Sequence, residues 1–338
     1  ATHRCLPSSC PACFLAWLVM KPAVVSLFAV LTLVACSTFG GDEPRWDTDV
    51  PDSAPVEASL GTWGPEGKRI AFIHTPDSAE VPDPSSRNQL WTLHLETRQM
   101  RRVMNVPMFT PDWHPDGSRF VFHSTRIPQY LFTVGADGPP IRQLTGPGSP
   151  NPDFENTVVG RWRPDGNRIL FSVEAGDRSG IYTMDPDGSS VQKRVGWSLM
   201  PDWFPSGDRI TYVSWDSSVE DPARRKQIYV ARADGTNRRK LTDLDDSRDT
   251  AAPSVSPDGQ QIAFAHDDQI YLMTADGTNV RQVTGGEGDA AQPEWSPDGR
   301  TILFWRRFFS GGGRSTTRLF LLEVETLEVE PVFPADAG

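Results

Sequence analysis

The sequence predicts an all-β protein made of one four-stranded unit used six times, and three observations carry that reading. First, a phrase built on a tryptophan and a Pro-Asp-Gly turn recurs: GTWGPEGKRIAF at Trp63, PDWHPDGSRFVF at Trp113, GRWRPDGNRILF at Trp162, PDWFPSGDRITY at Trp203, PSVSPDGQQIAF at Val255 and PEWSPDGRTILF at Trp295. The anchors are 50, 49, 41, 52 and 40 residues apart. Second, each copy is followed by a second phrase, such as GIYTMDPDG or QIYLMTADG, and most by a third, such as IRQLT or VRQVT. Third, segments such as Ile302-Leu303-Phe304 are apolar at consecutive positions, which is expected of strands covered on both faces.

The elements follow in order within each unit. The first strand ends at the anchor. The Pro-Asp-Gly turn then reverses the chain: proline presets the first turn residue, aspartate accepts local backbone bonds and glycine takes a left-handed conformation. The second strand is the ILF or IAF segment, the third is IYLM, the Ala-Asp-Gly turn follows, and RQVT is the fourth. A four-stranded antiparallel sheet apolar on both faces, repeated six times, predicts a six-bladed β-propeller over residues 60–338. Glu328 to Phe333 can supply the last strand of the sixth blade.

The segment before the repeats is different. Ala23 to Ala35 is an uncharged run of 13 residues, preceded by Lys21 and followed by Cys36. As a helix it would measure about 20 Å against the ~30 Å of a bilayer core, so it predicts a secretory signal and not a span. Leu33-Val34-Ala35-Cys36-Ser37 resembles a bacterial lipobox, which implies lipidation at Cys36. Residues 1–36 are therefore expected to be a signal peptide. Within them Met20 begins a signal of ordinary length, and residues 1–19 read as an over-extended start. Residues 37–59 are acidic and proline-rich and read as a tether. All four cysteines (5, 10, 13 and 36) lie in the leader, so neither disulfide nor thiol chemistry is expected of the body. The chain carries a net charge of −11; residues 1–36 hold two basic residues and no acids, leaving 31 basic against 44 acidic residues and a net −13. Such a surface argues against nucleic acid as a partner.

The repeated pattern P-x-W-S-P-D-G-x-x-I-A-F … I-Y-x-M-x-A-D-G … R-Q-L-T resembles that of the TolB-type β-propeller family, itself similar to WD-repeat proteins in architecture. The resemblance covers roughly 270 of the 338 residues and implies the fold more strongly than any function. TolB carries an α/β domain before its propeller, whereas only residues 37–59 intervene here.

Both kinds of short turn fall on one face of the ring, so the longer, varied connections share the opposite face, where function usually resides. Two of those connections combine aromatic and cationic residues: Trp215 with Arg224 and Arg225, and Arg306, Arg307, Phe308 and Phe309. Aromatics and arginine dominate binding hot spots. The residue before each anchor (Thr62, Asp112, Arg161, Asp202, Ser254, Glu294) falls on the first strand, which lines the axis. Asp112, Asp202 and Glu294 would converge there with Arg161, and a divalent cation is the one cofactor such a channel would suit. No G-x-S-x-G, H-E-x-x-H, Walker loop or G-x-G-x-x-G is present, and no metal ligands or catalytic residues are assigned. His74, His123 and His266 lie at matching positions near the ends of second strands. The reading is an exported, monomeric, lipid-anchored propeller that binds an envelope protein, with catalysis not favoured. Its alternatives are a glycan-binding or polysaccharide-active propeller and a sensor working with a separate hydrolase.

Overall fold

The structure is a computed structural model that describes residues 57–76, 88–105, 107–215, 226–244, 250–310 and 314–333. Six four-stranded antiparallel sheets form a ring, each sheet contiguous in sequence. Blade one holds β1 (Ala58–Trp63), β2 (Arg69–His74), β3 (Gln89–His94) and β4 (Met100–Asn105). Blade two holds β5 (Met108–Trp113), β6 (Arg119–Ser124), β7 (Leu131–Gly135) and β8 (Gly138–Gln143). Blade three holds β9 (Thr157–Trp162), β10 (Ile169–Val173), β11 (Gly180–Met184) and β12 (Gln192–Gly196). Blade four holds β13 (Ser198–Trp203), β14 (Arg209–Trp215), β15 (Lys226–Arg232) and β16 (Arg239–Lys240). Blade five holds β17 (Ala251–Val255), β18 (Gln261–His266), β19 (Gln269–Thr274) and β20 (Arg281–Gln282). Blade six holds β21 (Asp289–Trp295), β22 (Thr301–Ser310), β23 (Arg314–Glu323) and β24 (Val329–Pro331). The first strand begins at Ala58 and so takes in the last two residues of the 37–59 segment.

The repeated turns form as their chemistry dictates. Gly117 and Gly299 take φ of 75° and 71°, values that cost a glycine nothing. Asp116 accepts the Ser118 amide at 2.8 Å and Asp298 the Arg300 amide at 3.1 Å. The Ser118 hydrogen bonds hold the exposed Asp116 carboxyl down at about 2.

Each anchor tryptophan wedges into the seam with the preceding blade. Trp162 packs with Val121, Leu131 and Leu144 of blade two, and Trp203 with Leu170, Ile181 and Val195 of blade three. An arginine at the start of the preceding blade's second strand covers the ring: Arg69 over Trp113 at 5.0 Å and Arg119 over Trp162 at 5.2 Å. The turn residue after the tryptophan also crosses the seam in two blades: His114 Nε2 lies 3.3 Å from the Gly166 carbonyl, and Arg163 Nε donates to that of Gly207 at 3.2 Å. The same packing closes the ring without strand exchange. Leu303, Leu319, Val332 and Phe333 of the last blade cluster with Trp63, Phe72 and Trp91 of the first, and Arg98 Nη2 donates to the Val332 carbonyl at 2.6 Å.

Every innermost strand carries an irregularity. Pairing with the second strand shifts register before the residue that precedes the anchor. In each case the residue two earlier is left-handed: Leu60, Thr110, Val159, Met200, Ala252 and Gln292 take φ between 44° and 53°. Such bulges bend a strand and re-aim the side chains that follow. The next position is glycine in blades one and three, where space is short: a Cβ on Gly160 would lie 2.8 Å from Cγ2 of Val121.

One expectation is corrected. Residues 306–310 and 314–317 are strand and not loop; β22 and β23 each run for ten residues and pair from Thr301–Glu323 out to Ser310–Arg314. Arg306, Arg307, Phe308 and Phe309 therefore stand on a strand that pairs far past its blade core, and strand pleating sends alternate members to opposite faces.

Gly160→Ala should destabilise the protein by about 1–3 kcal/mol in urea unfolding, as overpacking does. Combined with Val121→Ala it should cost less than the two single changes together. Strict additivity would show that the 2.8 Å approach is not the cause.

Candidate functional site

The bulges bring the residues before the anchors together at the axis. Asp112 Oδ1 lies 3.2 Å from Arg161 Nη1, and Glu294 Oε2 lies 3.5 Å from the same nitrogen. Blades three and six face each other across the ring, so the Arg161–Glu294 pair is a strut over the axis. The side chains of Asp112, Arg161 and Glu294 keep 16, 22 and 18% exposure, on strands that face the ring interior. Each acid also holds the next blade. The Trp162 amide donates to Asp112 Oδ2 at 2.6 Å, the Val255 amide to Asp202 Oδ2 at 2.9 Å, and the Trp63 amide to Glu294 Oε1 at 3.0 Å. Thr62 adds a 2.6 Å hydroxyl bond to Glu294.

Burial dominates the titration of this cluster. It pushes Asp112 up to about 7, with Arg161 opposing and Glu294 reinforcing the shift. It raises Asp202 and Glu294 as well, against the pull of Arg161. For Arg161 burial works against the charge, but Asp112, Glu294 and Asp202 outweigh it and keep the guanidinium protonated. Chemically, the arrangement is a set of inter-blade clips around one cation.

The histidines are not brought into one site. His74 Nδ1 lies 2.8 Å from the Glu57 carbonyl, His123 Nδ1 2.7 Å from Thr110 Oγ1, and His266 Nδ1 2.9 Å from Thr250 Oγ1. Burial brings His123 down to about 4. Among the described residues no group of three or more His, Cys, Asp or Glu is placed to hold a metal ion.

The long-connection face holds an open cleft of about 640 Å³ between blades three and four, bordered by Val173, Glu174, Ser179, Trp197, Leu199, Trp215 and Lys226. Trp215 was expected there; Arg224 and Arg225, its expected companions, lie outside the described residues, as does Cys36. Trp197 was not expected. It is the single residue between β12 and β13, sits at φ 46° and is 61% exposed. A bulky residue in that conformation is an outlier, and its backbone is held from both sides: its amide donates to the Ser179 carbonyl at 3.1 Å and its carbonyl accepts from Ser214 Oγ at 3.2 Å. The ring is thus presented to solvent on a fixed backbone.

The second expected group divides. Arg307 stays near the surface, pairs with Asp289 at 3.3 Å and stacks on Trp305 and Phe309; Phe309 is 66% exposed. Phe308 packs on Phe320 at 6.0 Å. Arg306 is buried, 7% exposed, against Phe304 and Phe320, so it is no surface contact residue.

With this geometry in hand, comparison with known proteins is specific. Residues 196–312 match the TolB beta propeller domain family. Over those residues the ring is similar to the TolB-type β-propellers. An uncharacterized protein of Agrobacterium fabrum is 32% identical over 170 residues, covering 47% of this chain and 55% of that one. The TolB homolog of Chlorobium luteolum is 30% identical over 152 residues, 44% of this chain and 31% of its own. The chain thus spans about half or less of the length of these relatives. The crystal structure of TolB from Acinetobacter baumannii superposes with a TM-score of 0.59 at 18% identity, covering 71% of this chain and 57% of that chain, a likeness of fold alone. A TolB-type propeller is consistent with a protein-binding module.

The axial cluster makes a pH prediction. Asp112, near 7 when folded against an ordinary 3.8, keeps a proton that the unfolded chain has lost between those values. Its contribution to stability is full below the unfolded value and is lost as pH rises through the folded one. Stability in urea should therefore fall from about pH 4 to pH 7, by at most ~1.4 kcal/mol per pH unit for one proton, and level off above. Asp112→Asn, which still accepts the Trp162 amide, should flatten that slope; an unchanged slope would place the proton elsewhere.

Proposed function

We propose that this protein is an exported, lipid-anchored binding propeller whose ligand is a segment of another envelope protein, docked in the cleft between blades three and four. The observation that carries the reading is Trp197, an exposed tryptophan on a strained, doubly tethered backbone at the edge of a cleft. Strain of that kind persists where the surroundings over-determine it and gathers at binding sites. A large aromatic ring held in place loses little entropy on binding, which is the profile of a hot spot. Trp215 on the facing blade, with Glu174 and Lys226 beside it, supplies a second ring and both signs of charge. The axis supports the reading by contrast, because its polar groups are engaged in joining blades.

Export and anchoring rest on the lipobox at Leu33–Ser37 and on the similarity to TolB. Mass spectrometry of the mature protein from a bacterial host should find diacylated Cys36 as the first residue. A free amine at any other residue overturns that part of the proposal.

For the docking site, the mature chain should retain a defined protein from solubilised envelopes. Trp197→Ala should weaken retention of that protein about tenfold or more with little change in thermal midpoint, since the ring is mostly outside the core. Equal retention by the variant refutes the cleft as the docking site. Retained material that resists protease and is released by glycosidase would assign the cleft to a glycan, whose sugar rings would stack on the same tryptophans.

A further inference from the structure

At the seam between blades five and six a buried arginine leaves two of its nitrogens without an acceptor among the described residues. Arg306 is more than nine-tenths buried, and its Nε and Nη2 meet no hydrogen-bond acceptor. Its guanidinium lies over Phe304 and Phe320, 5.6 Å from each ring. Stacking of that order supplies about 1–2 kcal/mol, well short of what an isolated buried charge costs. Arg318 stands directly opposite Arg306 in the β22–β23 ladder, where side chains approach within about 5 Å. Arg318 is exposed and makes no ion pair among the described residues. Two like charges opposed on one sheet face repel, and in a chain of net charge −11 acidic neighbours were available to separate them. Asp289, the nearest carboxylate in the ladder, is engaged by Arg307.

The connection from blade five to blade six passes over Arg306 as Gly285-Gly286-Glu287-Gly288. Gly286 and Gly288 take φ of 94° and 85°. A Cβ on Gly288 would lie 2.9 Å from Cγ of Arg306, and one on Gly286 would lie 3.7 Å from Nη1. The backbone thus lies against the arginine, and the positive φ at both positions favours glycine. Among the described backbone hydrogen bonds none uses the amides of Gly286 or Gly288. Burial lowers the pKa of Arg306, which an incoming negative charge would reverse.

We infer that Arg306, beneath the Gly285–Gly288 connection, and Arg318, its cross-strand partner, form an oxyanion-binding site that takes a carboxylate or phosphate group. The guanidinium fork matches a two-oxygen anion, and both classes offer one. This site lies two seams around the ring from the Trp197 cleft and does not rest on the docking proposal.

The test uses the full mature chain, with inorganic phosphate and sodium acetate titrated separately at constant ionic strength set with chloride. An anion that binds the folded state raises the thermal midpoint with concentration. The wild type should respond to at least one probe, and the more effective probe identifies the source of the oxyanion. Arg306→Leu should bind about tenfold to a hundredfold more weakly. Arg318→Gln, a surface change that cannot prevent folding, should bind several-fold more weakly. No response in the wild type, or the same response in both variants, overturns the inference. If Arg306→Leu does not fold, Arg318→Gln decides alone: a reduced response supports the site and an unchanged one refutes it.

Discussion

Burial of both faces of every blade is the constraint from which the remaining architecture follows. A single four-stranded blade with Phe171, Tyr182 and Trp162 on one face and Leu170, Ile181 and Val195 on the other exposes two apolar surfaces unless neighbours cover both. The sheets are therefore stable only in a closed ring. The anchor tryptophan serves that need by filling the preceding seam, and the arginine that covers it carries the seam out to the surface. Closure between blades six and one uses the same kind of packing, so strand exchange is not required to join the ends.

The second organising feature is the bulge in each innermost strand. Without it, regular alternation alone would set which residue faces the axis, and the register to the second strand would run unbroken. With it, a side chain just before the anchor can accept the amide of the next blade's anchor. The left-handed residues that make the bulge include Thr110 and Val159, β-branched residues for which that conformation is costly. Closure of the whole ring offsets the strain.

The fold was legible because its signals are local and repeated. A turn aspartate and a glycine with positive φ act within four residues, and six copies make the pattern secure. The convergence of Asp112, Arg161, Asp202 and Glu294 was legible for the same reason, since one position in each repeat had to share one location. The bulge was not legible, because Leu60, Met200, Ala252 and Gln292 occupy a conformation for which glycine is the usual marker. Trp197 was hidden in Val195-Gly196-Trp197-Ser198, which reads as the approach to a strand; only the fold makes it a one-residue bridge between blades. Arg306 read as a loop cation because the glycine run after Ser310 suggested a loop, whereas the ladder continues past it and burial depends on blade five. Contacts between distant repeats decide both cases, and no local pattern encodes them.

The axial acids occur in blades two, four and six only, and each reaches forward to one neighbour. Blade two is fastened to three, four to five, and six to one, while the other three seams have no such clip among the described hydrogen bonds. Mechanically the ring is three rigid pairs joined by three softer hinges. The Trp197 cleft opens at the hinge between three and four, and Arg306 lies at the hinge between five and six. A molecule seated at either place would bridge two blades that no axial acid clips together, so occupancy at the rim would stiffen the ring as a whole.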